Sequence, residues 1–405
     1  MSTCIDSIEG FQIQDSRKRP TLRVVVRAGE YEGSFEVPSG ASTGSREAHE
    51  LRDADGGMQR AIHLIAEEIV PALKGRDAEK QHLVDETLLA LDGTELKEHL
   101  GGNVLIGVSV AVARLAAASK GIKLPMHLRE LADIPRSRHA PHLFVNLING
   151  GKHAEGGSSI QEHQIVTRDE DPKAAFDVAE RVERALHDLL AEEQRAFTMG
   201  DEGGVVFPVE TAATAFDVLL RAVKKADAAE RVFTGSDMAA SSFFTDGVYD
   251  LCGVRCDTAQ LSTQYDALIA QQQLAFIEDP FHEDDLPAFT AFQKAHPSVV
   301  VIGDDLTTTS ADAITRAGNA GAIKAVIIKP NQVGTLSETL AAMQAARAAG
   351  VHCIVSHRSG ETMDPFIADV AFAFGALGLK AGAPSAPERR VKYQHLIELY
   401  EPTTI

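Results

Sequence analysis

Apolar and polar positions repeat on two periods along the chain, and the change of period divides it. Near the start, "TLRVVVRAGEYEGSFEVPSG" holds two alternating runs around Gly29, which predicts an antiparallel hairpin. Helical patterns follow in "GGMQRAIHLIAEEIVPAL", "AEKQHLVDETLLAL" and "NVLIGVSVAVARLAAASKG". Strands and then helices, without alternation, predict an α+β domain over residues 1–130. "GIKLPMHLRELADIPRSRHAP", with its prolines, reads as the connector. Residues 131–405 open with two strand-like runs, "PHLFVNLINGG" and "SSIQEHQIV". Two long helical patterns come next, "DPKAAFDVAERVERALHDLLAEEQRAF" and "PVETAATAFDVLLRAVKKA". Only then do short β-branched runs alternate with helical stretches, at about 25 residues per unit, as in a parallel α/β barrel. A plain eightfold barrel would not begin with two strands and two helices.

The apolar runs end in charged groups. "RVFTGSD" ends at Asp237, "QLAFIEDP" carries Glu278 and Asp279, and "SVVVIGDD" carries Asp304 and Asp305. "KAVIIKPNQ" carries Lys329, "VHCIVSHRSGET" carries His357, Arg358 and Ser359, and "LGLKAGAP" carries Lys380. Barrel enzymes keep their chemistry at the carboxyl ends of the strands. Three converging carboxylates repel one another unless a cation lies between them, and oxygen ligands suit Mg2+. One Asp alone would cap the following helix instead. Lys329 is costly at the end of a buried strand unless paired or deprotonated, so a base and a salt bridge are both open. Arg358 and Ser359 offer a planar fork and a hydroxyl to a phosphate. Lys380 suits a carboxylate or a structural ion pair. "GDEGG" sets Asp201 and Glu202 between glycines, and "NGGKHAEGGSS" carries His153 in a second Gly-rich loop. "VPSGASTGSREAHELRD" lacks the GK[ST] ending of a Walker motif and reads as a phosphate nest or lid.

A net charge of -19 argues against nucleic acid and against an anionic membrane surface as partners. It leaves an anionic substrate open, because bound cations reverse a local field. The four cysteines, Cys4, Cys252, Cys256 and Cys353, are too scattered for a disulfide scaffold. They fit a reduced cytoplasmic protein. No signal peptide is expected, and no membrane span, since "LIGVSVAVARLAAA" is broken by Arg114.

Together these segments resemble the enolase family. The resemblance runs almost end to end, through "DSRKRPT", "VPSGASTGSREAHELRD", "NLINGGKHAEGGSSIQE", "GDEGG", "SDMAASSFF", "IEDPFHEDD", "GDDLT", "IIKPNQVGTLSET", "VSHRSGET" and "LKAGAP". It implies a β-β-α-α opening followed by six βα units, behind an N-terminal α+β capping domain. It implies two Mg2+ ions per site, the first on Asp237, Glu278 and Asp304, with Ser39 joining the second ion to the substrate phosphate. Lys329 matches the base, and Glu202 the general acid, assisted by Glu162. His153 and Gln161 match groups beside the substrate, and His357, counted with the catalytic set, is open as a ligand, a relay or a packing group. Arg358 and Ser359 match phosphate contacts, and Lys380 the group near the substrate carboxylate. A homodimer, or a higher oligomer, is implied as well.

The chain departs from the family pattern in places. The family usually reads "DSRGNPT", where Lys18 and Arg19 stand here, and "QEFM", where His163 and Gln164 follow Glu162. "KTGAPARSER" has become "KAGAPSAPER" and "KYNQLLRIEE" has become "KYQHLIELYE". No named catalytic group is lost. The implied reaction is dehydration of 2-phosphoglycerate; a second expectation is the same elimination on a phosphonate analogue, as in carboxyphosphonoenolpyruvate synthases. A binding protein without activity would be expected to lose the base or a metal ligand, and neither is lost.

Overall fold

The computed structural model describes residues 3–40, 46–134, 139–153 and 156–401, without the side chain of His153. The N-terminal region is an antiparallel sheet of Ser7–Gln14, Pro20–Ala28 and Tyr31–Glu36, paired in that order. The last two form the hairpin expected around Gly29. The first strand escapes a periodicity reading because several of its side chains, including Phe11, face solvent. Helix Gly102–Ser119 lies directly on this sheet: a Cβ at Gly33 would stand 2.0 Å from the carbonyl oxygen of Ala111. Gly102–Ser119 is in fact long and apolar enough to cross a membrane, contrary to expectation. What assigns it to the core is packing, since nearly all of its residues are buried. Arg114, on the same helix, makes a two-pronged pair with Asp364 at 2.6 Å.

The pattern over residues 56–73 forms one helical run with a π turn, Ile65–Ile69, between Gln59–Leu64 and Val70–Leu73. Pro71 at the start of the last piece has no N–H for the carbonyl four residues back, so the regular ladder cannot run through. The three-proline stretch is more than a connector, because Leu124–Ala132 is helical and Pro125 sits in its first turn. Arg129 on that helix donates to the carbonyls of Ala373 and Phe372 at the end of helix Phe366–Phe374.

The remainder is a closed barrel. Its strands in chain order are His142–Asn149, Glu162–Thr167, Val232–Asp237, Leu274–Glu278, Val300–Gly303, Ala325–Ile328, His352–Ser356 and Gly378–Lys380. They pair in that order, and the last pairs with the first. Helices Pro172–Glu192 and Thr214–Lys225 separate the second strand from the third, giving the expected β-β-α-α opening. The second strand is antiparallel to both neighbours, and every other neighbouring pair is parallel. Its amino end therefore lies at the carboxyl end of the others: Glu162 pairs with Asp237 in register.

Inside the barrel, Phe144, Val166, Phe276, Ile302, Ile327 and Ile354 form an apolar plug. Above it the strand ends turn polar. The N-terminal region also reaches into the barrel's own helices. Asp85 accepts from the backbone N–H (2.9 Å) and hydroxyl (2.6 Å) of Ser337, and Ser109 accepts from the N–H of Leu336. These groups cap helix Leu336–Ala348 from another part of the fold.

Candidate active site

The plug forces the charges above it into one another. Lys380, on the last strand, is buried and lies 2.8 Å and 2.9 Å from the two oxygens of Glu278, 3.1 Å from Glu162 and 3.3 Å from Asp237. Burial alone would lower its pKa, but these carboxylates raise it well above the usual lysine value. Glu162 and Glu278 are pushed up first by burial, then by the neighbouring charges of Glu202 and Asp237 respectively. Lys329 follows the sixth strand and pairs with Asp304. Burial works against its charge, Asp304 works for it, and the net effect raises its pKa.

A second cluster forms where the Gly200–Gly204 loop meets the strand ends. Glu202 accepts from Asn146 Nδ2 at 2.9 Å and lies 3.4 Å from His357 Nε2. Across the strand pair, Gln164 stands opposite Asn146 and donates to Glu162 at 2.5 Å. Two facing amides thus each hold one of two acidic side chains. Burial depresses His357 to about 4, so its ring is neutral at pH 7. Arg389, fully buried, donates to the carbonyls of Asp201, Arg358 and Ser359 and reaches His357 Nδ1 at 2.8 Å. It ties the acid loop to the seventh strand's end.

Of the residues singled out in the sequence, Gln161, Glu162, Glu202, Asp237, Asp304, Lys329, His357, Arg358, Ser359 and Lys380 line one pocket. Glu278 sits behind Lys380. Ser39 is not on the pocket wall: its hydroxyl donates to Asp15 at 2.7 Å and accepts from Arg17 at 3.1 Å. His153 ends the short turn Gly151–His153, and its side chain lies outside the described residues. Glu47, Asp279 and Asp305, to which no site role was assigned from the sequence, share the wall, and Asn146 and Arg389 bond to the wall residues Glu202 and His357. Asp279 and Asp305 are the second members of the acidic doublets, and Asp279 accepts from the N–H groups of Asp304 and Asp305. Asn146 carried a signal, being in period-two step with the interior residue Phe144. Glu47 and Arg389 lie within the segments that carry the family pattern, but neither period nor spacing marked them, because their partners lie far along the chain.

A family model described as the enolase C-terminal TIM barrel domain matches residues 138–403, and one for the enolase N-terminal domain matches residues 5–128. The chain belongs to the enolase family. It is 38% identical over 399 residues to the enolase of Sulfurisphaera tokodaii, covering 98% of this chain and 95% of the relative. It is 39% identical over 411 residues to that of Methanopyrus kandleri, again covering 98% and 95%. The enolase of Aeropyrum pernix is 39% identical over 409 residues, covering 98% and 93%. These names favour the phosphate substrate over the phosphonate one.

Enolase membership implies a divalent metal, and the donor chemistry here fits one. Seven carboxylates line the pocket (Glu47, Glu162, Glu202, Asp237, Asp279, Asp304, Asp305) against four cations (Lys152, Lys329, Arg358, Lys380), a formal excess of 7 − 4 = 3 negative charges. All these donors are hard oxygens. Among the described residues, ligand atoms converge within 4.8 Å in Glu162–Glu202–His357 and in Asp279–Asp304–Asp305. Asp237, Glu278 and Asp304 are not such a group, because Lys380 stands between the first two and Lys329 holds the third.

Proposed function

We propose that this chain dehydrates 2-phosphoglycerate to phosphoenolpyruvate, with Mg2+ as its divalent metal and two ions per site. The observation that carries this reading is the placing of Lys329 and the Glu162–Glu202 pair on one buried pocket with Arg358 and Lys380. Lys329 Nζ takes the proton from C2, and the electron pair left behind forms the C2–C3 double bond. The C3–O bond breaks, and Glu202 protonates the departing hydroxyl, which leaves as water. Lys329 must first be neutral; burial favours that form most, the positive charges of Arg358 and Lys380 add to it, and Asp304 opposes it. Glu162 assists Glu202 by sharing charge across the pair, and Asn146 and Gln164 fix the two carboxyl groups. Gln161 and His357 border the substrate, and His153 is assigned beside it by family pattern alone. Arg358 and Ser359 take the phosphate, and Lys380 faces the substrate carboxylate. Asp237, Glu278 and Asp304 would hold the first ion. Ser39 would join the second once its hydroxyl leaves Asp15. Bound Mg2+ supplies positive charge against the second negative charge that grows on the carboxylate. We further propose a cytoplasmic homodimer.

Ultraviolet absorbance of phosphoenolpyruvate formed from 2-phosphoglycerate tests the reading. Turnover with Mg2+ that a chelator abolishes is the expected result. A folded protein without turnover overturns it.

A further inference from the structure

Arg358 is gripped from the N-terminal region on two sides. Gly40 packs against the guanidinium so closely that a Cβ there would stand 2.2 Å from Nη2. Glu47 Oε2 lies 2.8 Å from the same Nη2, and both side chains of this pair are 5% exposed. Glu47 is itself anchored on the barrel. Its Oε1 accepts from Gln332 Nε2 at 3.3 Å, the group that also donates to Asp304 at 3.1 Å. The N–H of the next residue, Ala48, donates to the carbonyl of Gln332 at 2.8 Å. Glu47 is thus a fixed carboxylate seated on the side chain best suited to receive a phosphoryl group.

An arginine buried without a counter-ion is costly and would take up any small anion that fitted. A carboxylate built into the site removes that cost and sets a threshold. Only a ligand offering more charge or more acceptor oxygens than one carboxylate displaces it. We propose that Glu47 is an internal stand-in for the substrate phosphate, displaced from Arg358 Nη2 when a phosphoryl dianion binds. It is a positioning residue that sets the affinity of the site for phosphate. This rests on the reading of Arg358 as the phosphate group.

Thermal unfolding of the full chain, titrated with inorganic phosphate, tests the proposal on four proteins: wild type, Glu47→Gln, Arg358→Gln and Asp201→Asn. Asp201 is 41% exposed, lies 3.9 Å from Arg17 and is not on the wall of the pocket that holds Arg358, so its removal changes the overall field but not the Arg358 pair. Glu47→Gln is expected to respond at phosphate concentrations about tenfold lower than wild type, the change for one charge-assisted contact. Asp201→Asn should move less than about twofold, and Arg358→Gln should lose the response. The KM for 2-phosphoglycerate should fall in Glu47→Gln, where simple structural damage would raise it. If Glu47→Gln does not fold, Glu47→Asp, which draws the same charge back by one methylene, should show a smaller shift in the same direction. An unchanged or weaker phosphate response in the Glu47 variant sinks the proposal, as does an equal gain in Asp201→Asn. A wild-type response in Arg358→Gln overturns the phosphate role of Arg358 itself.

Discussion

The two halves of the barrel interior are built on the same eight strands and obey opposite rules. The lower half, around Phe144, Phe276 and Ile327, is held by apolar contact and asks nothing of its neighbours beyond shape. In the upper half Glu162, Asp237, Glu278, Asp304, Lys329 and Lys380 are buried or nearly so and depend on one another's charge. The plug closes off solvent from below, so these groups cannot be satisfied by water there. The difference shows how a stable scaffold carries an unstable arrangement: stiffness lies in one layer and exchangeable charge in the next.

Each layer answers to its own substitution. In the upper half, Lys329→Ala should lower kcat by roughly 10²–10⁴-fold, the usual loss for a general base, while thermal unfolding shows a folded protein. Turnover close to wild type would remove Lys329 from the chemistry. In the lower half, Phe276→Ala should cost about 3–5 kcal/mol in urea denaturation, since a buried aromatic leaves a cavity. A large loss of kcat without loss of stability would mean that the plug does more than support.

His163 faces outward from the barrel wall against Phe216, and burial lowers its pKa to about 4. Between its unfolded value of 6.5 and that value, the unfolded chain binds the extra proton. Stability therefore falls as pH drops through this window, and the full penalty is present below about 4. His163→Phe should remove up to roughly 3 kcal/mol of that acid sensitivity, read from denaturation midpoints at pH 7 and pH 4.5. Parallel curves for variant and wild type would rule it out. The smallest effect is expected at Lys18, which holds a left-handed φ of 61° where the family usually has glycine. Lys18→Gly should raise stability by about 0.5–1 kcal/mol in thermal denaturation, by relieving the Cβ clash. A drop in Tm would show that the lysine side chain makes up the strain.

Much of this was legible because period and charge coincide. The apolar runs ending at Asp237, Glu278 and Lys329 are barrel strands with those groups at one end of the barrel. Glu162 begins its strand instead, and only the family pattern marked it, because the strand's reversal is invisible to periodicity. Ion pairing was legible as an option for Lys329 and Lys380, but not which carboxylates each would meet. Lys380 reads as suited to a carboxylate or to a structural ion pair, and the structure surrounds it with three carboxylates. Asn146 and Gln164 acquire meaning only when pairing sets them opposite each other. Strand Ser7–Gln14 was missed because its partly solvated face breaks the alternation.

The bond between Glu47 and Gln332 spans 285 residues of chain. At the usual 5–20 residues per second, a ribosome needs roughly 15–60 s to make that stretch. For all that time the early half of the pocket exists without its late half. Catalytic competence is thus an event at the end of synthesis, and a chain arrested before Gln332 emerges carries no working pocket.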